Sequence, residues 1–427
     1  MALDIALVAA RTGLLKYNAD DADRPWALFE IAKLHQSRYS NLRLPEDLEA
    51  ARELYLEAAQ TETDNSKKAR YLNNLGIIFQ YRYEATGDAS DLDDFVKYTE
   101  EAALLAPESI KPAVLQNYAN ALQTRFYQQD NIDDLGKCIA TYRIALSLPK
   151  ANRPKICSSL CSALTTFFEI NDAISDLEEA CTHGEEAVDS TDDDNPMKAL
   201  FLDSYSIALH TLYTTTQSEG YLEQATTHGL AAVILAEEHG LSNLASFRVN
   251  LGILFATKYK RDRTLDDLDD AIDQFTSADT SMNAQNPSYE RLLFNMGIAF
   301  RMRFEHTGME ADLNSSIDAC TKAVKLNMTN ADVRAQSKTA LGNAFLRKYD
   351  LHGSPDFLDD AAKLHNEALE YTQDKSSLAD IYHNLGATLQ ARYELRGSLE
   401  DLEAALAAAE KGIQISNANL PGYAASL

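Results

Sequence analysis

The sequence has few of the residues that interrupt helices or cross-link a fold. Its 427 residues include only 10 prolines, 17 glycines and five cysteines. A small, odd number of cysteines argues against a disulfide framework and fits a reducing compartment, so a cytoplasmic location is expected. Few prolines and glycines, and no block of alternating apolar residues, favour helices over short strands joined by tight turns.

Basic residues are also in short supply. The chain has 39 Lys and Arg against 65 Asp and Glu, which gives a formal net charge of -26. Binding to nucleic-acid phosphates needs clustered Lys and Arg, so no nucleic-acid partner is expected. The acidic excess instead favours solubility and the attraction of basic partners.

Long apolar runs and catalytic motifs are missing as well. Residues 1–17 carry Asp4 early, lack a basic start and are too short to span a bilayer, so neither a signal peptide nor a membrane partner is predicted. The sequence has no Gly-rich phosphate loop, HExxH or GxSxG pattern, and its nine histidines are scattered. No enzymatic activity, cofactor or metal is therefore predicted.

What the sequence does have is an internal repeat. An aromatic residue recurs every 42 to 46 residues, at Tyr39, Tyr83, Phe126, Phe168, Tyr213, Tyr259, Phe304, Tyr349 and Tyr393. A leucine recurs with the same period, at Leu48, Leu92, Leu135, Leu177, Leu222, Leu268, Leu313, Leu358 and Leu402. The chain is thus built from about nine copies of one unit.

Two further columns of the repeat are restricted to small residues. Seven residues before the aromatic stand Ala32, Gly76, Ala119, Cys161, Ser206, Gly252, Gly297, Gly342 and Gly386, each preceded by a large apolar residue. Ten residues after the leucine stand Ala58, Ala102, Ala145, Ala187, Ala232, Ala278, Ala323, Ala368 and Gly412. Small residues let two helix axes approach closely, so these columns predict tight helix packing.

Each unit reads as two helices joined by a turn. Apolar residues recur at three- and four-residue spacings, at Leu72, Leu75, Phe79 and Tyr83 and then at Leu92, Phe95, Val96 and Ala102. The breakers Thr86-Gly87-Asp88 separate the two halves. Asp precedes the leucine in seven copies, where its carboxylate is expected to cap the second helix.

This unit resembles the tetratricopeptide repeat. The positions that characterise that family fall at Leu75-Gly76, Phe95, Ala102 and Pro107. The usual unit of the family has 34 residues, whereas this one has about 44, and we expect much of the excess in the turn between the helices. The long form, with its Arg-Tyr, Thr-Gly and Asp-Leu elements, is similar to arrays that accompany caspase-like CHAT protease domains.

The resemblance implies an all-α fold, an α-solenoid of about nine helix-turn-helix repeats in a right-handed superhelix with a half-repeat at each end. One domain over 1–427 is expected, with repeats at about 24–63, 64–108, 109–150, 151–194, 195–240, 241–284, 285–329, 330–374 and 375–416. In the half-repeats, Leu3 aligns with Leu48, and Pro421, Tyr423 and Leu427 align with Pro287, Tyr289 and Leu293. We interpret both ends as cut from a longer array; the alternative is that they are natural caps.

Asparagine recurs in five copies, immediately before the large apolar residue of the first helix: Asn74, Asn117, Asn250, Asn295 and Asn384. In long repeats of the kinesin light chain and polarity-adaptor type, such a ladder lines a groove and bonds the backbone of an extended peptide. An amide offers a donor and an acceptor, as a peptide unit does. The same groove is expected to include Gln80, Tyr81, Asn120, Gln123, His210 and Asn343. The alternative is that each Asn bonds a neighbouring helix.

A basic residue precedes the aromatic in seven copies: Arg38, Arg82, Arg125, Lys258, Arg303, Lys348 and Arg392. One hypothesis is a basic stripe for an acidic ligand. The favoured one is a salt bridge from each residue to an Asp or Glu of its own repeat, recurring because the fold recurs.

Every cysteine falls on a framework column: Cys138, Cys157, Cys161, Cys181 and Cys320. Core packing therefore explains all five. A metal site near Cys157, Cys161, Cys181 and His183 is the less favoured interpretation.

These features predict a protein-protein interaction scaffold that presents a concave groove to a protein or peptide partner. Its role would be recognition or regulation, as the sensor arm of a longer CHAT-protease-type polypeptide. The alternative is an architectural spacer without a peptide groove, which self-associates through its repeat ends.

Overall fold

The structure is a computed structural model that describes residues 2–18, 21–284, 286, 288–326 and 331–418. These residues form nineteen α-helices and no strand, so the all-α prediction is confirmed. They fall into two compact units, Met1–His228 and Gly229–Leu427. The count of nine repeats and the single domain stay predictions. The C-terminal half-repeat, with Pro421, Tyr423 and Leu427, lies outside the described residues, as does Pro287.

The helices are, in chain order, α1 (Ala2–Leu14), α2 (Arg24–Leu42), α3 (Pro45–Thr61), α4 (Asn65–Thr86), α5 (Ala89–Leu105), α6 (Lys111–Gln129), α7 (Ile132–Ser147), α8 (Arg153–Asn171), α9 (Ile174–Asp189), α10 (Met197–Thr216), α11 (Glu219–Glu238), α12 (Leu244–Asp262), α13 (Leu265–Ser281), α14 (Tyr289–Thr307), α15 (Glu310–Lys325), α16 (Ala331–His352), α17 (Pro355–Ala368), α18 (Lys375–Arg396) and α19 (Leu399–Ala418). Within the described part of the chain, no helix has the length and apolarity needed to cross a membrane.

Neighbouring helices pack in pairs, each made of a first and a second helix. In Met1–His228 the pairs are α2–α3, α4–α5, α6–α7 and α8–α9. In Gly229–Leu427 they are α12–α13, α14–α15, α16–α17 and α18–α19. Within each unit, a second helix also packs on the first helix of the next pair, and successive first helices touch each other. This is the arrangement of an α-solenoid.

The column of small residues marks the contact between the two helices of a pair. A Cβ placed on Gly252 of α12 would lie 2.6 Å from the ring of Phe275 on α13, and one on Gly297 would lie 2.3 Å from Sγ of Cys320. Both distances are shorter than van der Waals contact. The predicted close approach of the helices is confirmed, because the second helix leaves no room for a side chain.

The expectation that the excess length lies in the turn is wrong. Helix α4 has 22 residues and α5 has 17, and only Gly87 and Asp88 separate them. Gly87 adopts a left-handed conformation (φ 71°), and its N–H donates to the carbonyl oxygen of Tyr83 at 2.8 Å. This end cap stops the helix at once, so two residues suffice for the connection and the additional residues lengthen the helices.

The capping role expected for the Asp before the leucine is also wrong. The cap of α5 is Asp88, three residues earlier, whose carboxylate accepts from the N–H of Ser90 at 3.0 Å. Asp91 lies in the first turn, and its carboxylate is 3.5 Å from the guanidinium of Arg82. Because Asp91 lies within α5 and not at its cap position, its carboxylate points toward α4 instead of toward the free N–H groups at the start of α5.

The basic residues before the aromatic form ion pairs with the protein itself. Arg125 binds Asp134 of its own repeat at 2.7 Å and Asp93 of the preceding second helix at 3.1 Å. The pairs within one repeat are Arg38–Asp47, Arg82–Asp91, Arg125–Asp134, Lys258–Asp267, Arg303–Asp312 and Arg392–Asp401. The favoured salt-bridge hypothesis is confirmed at these six positions. Lys348 binds Glu310 of the preceding second helix instead, because Phe357 replaces the acidic residue in its own repeat.

The ion pair between the basic residue and the preceding second helix recurs as well. Contacts to the preceding second helix are Arg38–Asp4, Arg82–Glu49, Arg125–Asp93, Arg303–Asp269 and Arg392–Asp359. Asp4 on α1 thus takes the place that Glu49 and Asp93 take on later second helices, and α1 packs on α2 in the same way. The alignment of the first residues with a second helix is confirmed.

The glycine column allows a matched pair of substitutions. Gly252→Ala should lower the free energy of unfolding by about 1–3 kcal/mol, because the new Cβ overlaps the Phe275 ring. Gly386→Ala is the control: its Cβ would lie at least 3.5 Å from its neighbours, and alanine favours a helix by up to about 1 kcal/mol over glycine. Urea unfolding followed by circular dichroism measures both. Equal effects of the two substitutions would contradict the close contact between Gly252 and Phe275.

His365 of α17 makes the stability of the second unit depend on pH. Its ring is fully buried against Gly342, and burial lowers the pKa of His365 to about 4. Because the unfolded chain has the ordinary histidine pKa of about 6.5, the buried neutral ring contributes stability above that pH, and this stability is lost as the pH falls toward 4.

The comparison variant is His365→Phe, which places phenylalanine where Phe275 stands in an earlier repeat. Between pH 7.5 and pH 4.5, the free energy of unfolding measured with urea should fall by about 2–3 kcal/mol more in the wild-type chain than in the variant. Parallel pH profiles of the two proteins would mean that His365 is not buried in its neutral form.

Candidate functional site

Tyr81 on α4 is a half-buried residue of a first helix, and so are the ten other residues proposed for the groove. They are Asn74 and Gln80 on α4, Asn117, Asn120 and Gln123 on α6, His210 on α10, Asn250 on α12, Asn295 on α14, Asn343 on α16 and Asn384 on α18. They occupy three columns, nine, six and three residues before the aromatic. Each side chain therefore keeps part of its surface open to solvent.

In the first unit, buried tyrosines of the second helices hold the amides in place. The hydroxyl of Tyr142 on α7 donates to Oδ1 of Asn120 at 2.5 Å and approaches Oε1 of Gln123 at 3.2 Å. Tyr55 on α3 donates to Oε1 of Gln36 at 2.7 Å and also contacts Asn74. Burial raises the pKa of both tyrosines, so each hydroxyl keeps its proton and acts as a donor.

Some ladder residues bond a neighbouring helix, as the alternative interpretation expects. Nδ2 of Asn117 donates to Oδ1 of Asn73 on α4 at 2.9 Å. Oδ1 of Asn250 accepts from Arg291 on α14 at 3.0 Å. Asn295 donates to the carbonyl oxygen of Arg291 in its own helix at 2.8 Å. The ladder is therefore partly structural.

Three of the proposed residues share one cavity in the second unit. Asn295, Asn343 and Asn384 line a cavity of about 400 Å³ that is formed by residues of α12, α14, α16 and α18. In the part of the chain that the structure describes, the side-chain amides of Asn343 and Asn384 make no hydrogen bond. We call this cavity, with its apolar residues Phe294 and Ile298, the α14–α18 groove.

Charge is unevenly distributed along this groove. Lys260 on α12 and Arg301 on α14 line one end, and Asp380 on α18 lines the other. Arg301 also binds Glu305 at 2.6 Å. Partial desolvation and the charge of Arg301 lower the pKa of Lys260. The lining of the groove thus carries basic side chains near α12 and an acidic side chain on α18.

Sequence reasoning missed Lys260, Arg301 and Asp380. Arg301 stands three residues before its aromatic, in the same column as Gln80, Gln123 and His210, so the repeat register contained the signal. Lys260 follows Tyr259 and occupies a column that nothing in the sequence marks as part of the groove. The structure brings Asn295, Asn343 and Asn384 together; Asn74, Asn117, Asn120, Gln80, Gln123, His210 and Asn250 lie outside this cavity.

The cysteines fit the core-packing interpretation. Cys138, Cys157, Cys161 and Cys320 are buried, and Cys181 is half-buried. Burial raises the pKa of Cys138 and of Cys320 to about 12. These thiols therefore stay protonated at neutral pH and are poor nucleophiles.

Comparison with known proteins agrees with the repeat architecture. A family model described as "Tetratricopeptide repeat" matches residues 378–412, which fall in α18 and α19. Comparison with curated protein sequences gives no match.

Several solved structures are similar. The signal transduction ATPase with numerous domains (STAND) from Pyrococcus horikoshii, a protein with a tetratricopeptide repeat sensor, matches with a TM-score of 0.60 at 12% identity, covering 92% of this chain and 53% of that one. A tetratricopeptide repeat protein from Parabacteroides merdae matches with a TM-score of 0.45 at 16% identity, over 74% of this chain and 99% of that one. One from Thermus thermophilus gives 0.38 at 17% identity, over 53% and 98%.

The match to the STAND protein and the packing of the helices establish the fold, and the family model identifies one of the repeats. The chain therefore has the fold of a tetratricopeptide-repeat array, and its residues 378–412 match the tetratricopeptide repeat itself.

Proposed function

We propose that this chain is a protein-protein interaction scaffold, and that the α14–α18 groove binds an extended segment of its partner. One observation carries the proposal. Asn295, Asn343 and Asn384 come from three successive first helices and line the same cavity, and two of their amides are uncommitted within the described residues. A side-chain amide can donate to one peptide group and accept from the next.

The dimensions of the groove suit an extended chain. Packed helix axes lie about 8–10 Å apart, and an extended chain advances about 3.3 Å per residue. One asparagine per first helix therefore meets roughly every third residue of the partner. The charges at the two ends add a direction, because Lys260 and Arg301 attract an acidic group and Asp380 attracts a basic one.

The test selects peptides from a random library displayed on phage, using the full chain as bait. Selected peptides should bind the wild-type chain with micromolar or better affinity. The double variant Asn343→Ala/Asn384→Ala should bind them at least tenfold more weakly, because it loses two amide contacts. The control is Asn366→Ala on α17, whose amide donates to the carbonyl oxygen of Ala362.

Unfolding curves keep this test independent of stability. The double variant should unfold like the wild-type chain, since neither amide has a hydrogen bond to lose within the described residues. Equal affinity in the double variant and in Asn366→Ala, or a library that yields no binder, would overturn the proposal that the α14–α18 groove binds a peptide.

The wider role that we propose is that of a sensor arm in a longer polypeptide of the CHAT-protease type, in the cytoplasm. The long repeat form and the sensor role of the repeats in the STAND protein support it. The chain itself is assigned no catalytic role, no nucleic-acid partner and no membrane partner. An antibody against this chain should detect a native polypeptide far above 47.3 kDa in a lysate of the source cells. A band at that mass would exclude the longer polypeptide.

One observation favours the alternative, a self-associating spacer. Leu406 and Ile413 on α19 are 56% and 61% exposed, and Ile5 and Val8 on α1 are 65% and 67% exposed. If these surfaces bind further copies, sedimentation should show a mass that rises with protein concentration. The double variant Leu406→Glu/Ile413→Glu should then keep the mass of the monomer at every concentration. That outcome would leave the peptide test of the groove unaffected.

A further inference from the structure

A cluster of three metal-binding side chains lies in the fourth repeat, apart from the groove. Cys157 stands on α8, and His183 and Glu186 stand one turn apart on the paired helix α9. Sγ of Cys157, a ring nitrogen of His183 and a carboxylate oxygen of Glu186 all lie within 4.8 Å of one another. Cys157 is buried, and the other two are half-buried, so the cluster remains open to solvent on one side.

The imidazole of His183 has a buried nitrogen with nothing to bind. Nδ1 is inaccessible to solvent and makes no hydrogen bond within the described residues. Its nearest acidic neighbour, Oε2 of Glu186, is 3.8 Å away, which is beyond hydrogen-bond length. A buried nitrogen without a partner costs stability, and a ligand at this point would remove that cost.

The residues around the cluster orient the three candidate ligands. Oε1 of Glu179 lies 3.6 Å from Nε2 of His183, and Arg143 holds Glu179 at 2.7 Å. Arg153 binds Oε1 of Glu186 at 2.6 Å, which leaves Oε2 directed toward His183. Histidines that bind metals commonly have a carboxylate at the opposite ring nitrogen, and ligating carboxylates are held in turn by further hydrogen bonds.

We propose that Cys157, His183 and Glu186 form a binding site for zinc or a similar divalent cation. Thiolate, imidazole and carboxylate together are ligands that suit zinc, and three protein ligands leave the fourth tetrahedral position open to water. Bond lengths of about 2.0–2.3 Å place tetrahedral ligands roughly 3.3–3.6 Å apart, so the side chains need to close by at most about 1.5 Å.

Binding of a cation would change the state of Cys157, because metal ions bind cysteine as the thiolate. A divalent ion stabilises the thiolate, so binding releases one proton from Cys157 to the solvent while the Sγ–metal bond forms.

In the eighth repeat, the two positions equivalent to Cys157 and Glu186 hold an ion pair. Lys338 takes the place of Cys157, Glu367 takes the place of Glu186, and the Lys338 ammonium binds the Glu367 carboxylate. The repeat geometry thus joins these columns and sets positive charge beside the glutamate. In the fourth repeat Cys157 provides no such charge, and Glu186 pairs instead with Arg153, one turn earlier on α8.

The experiment titrates the reduced full-length chain with Co²⁺, which reports thiolate ligation by a charge-transfer absorption band, and then displaces it with Zn²⁺. The wild-type chain should bind one ion, show the band and release one proton. Calorimetry in buffers that differ in their heat of ionisation measures the proton release. Cys157→Ser should lose the band. The matched control is Cys181→Ser, a half-buried thiol on α9 outside the cluster, which should keep it.

Two further variants, at half-buried positions, keep the test decisive even if Cys157→Ser misfolds. His183→Gln and Glu186→Gln should each weaken Co²⁺ binding at least tenfold while their metal-free unfolding curves stay close to the wild-type curve. Glu179→Gln tests the positioning residue: it should weaken binding about tenfold but leave the charge-transfer band in place at saturation. No band in the wild-type chain, or a band that persists in Cys157→Ser, would overturn the site.

Discussion

The close approach of the two helices in each pair is the constraint on which the rest of this array depends. Where Phe275, Cys320 or His365 projects from the second helix, the facing residue of the first helix is glycine, because a Cβ would overlap the projecting side chain. This contact fixes the rotation of the first helix. Asparagine stands two residues before the glycine, about 200° around the helix, so the packing turns the asparagine column away from the second helix. The core thereby creates the groove.

Ion pairs join each repeat to the one before it. A basic residue near the end of the first helix, such as Arg125, reaches one carboxylate in its own repeat and one in the preceding second helix. Because the acceptors in its own repeat, such as Asp134, are buried, part of the acidic composition belongs to the framework. The net charge alone therefore does not indicate the charge of a partner; if the proposed groove binds one, Lys260, Arg301 and Asp380 are the charges it would meet there.

The repeat columns were sufficient to predict the helices, the close contacts at Gly252 and Gly297, and the ion pairs within a repeat, since each follows from residue size or charge at a fixed register. They did not predict that Gly87 ends α4 so abruptly that two residues connect the helices, because the sequence shows a breaker but not the length of the turn it makes. Lys260 in the groove and the approach of Cys157 to Glu186 depend on which faces of different helices meet. A single column of sequence does not carry that information.

The proposed function requires that the first helices of the second unit, and not the second helices, contact the partner. Hydrogen exchange measured with and without a saturating library-selected peptide distinguishes the two sets of helices. Slower amide exchange is expected in α14, α16 and α18, with α15 and α17 unchanged. Protection confined to the second helices, or an unchanged exchange pattern while the peptide is bound, would contradict the proposed function.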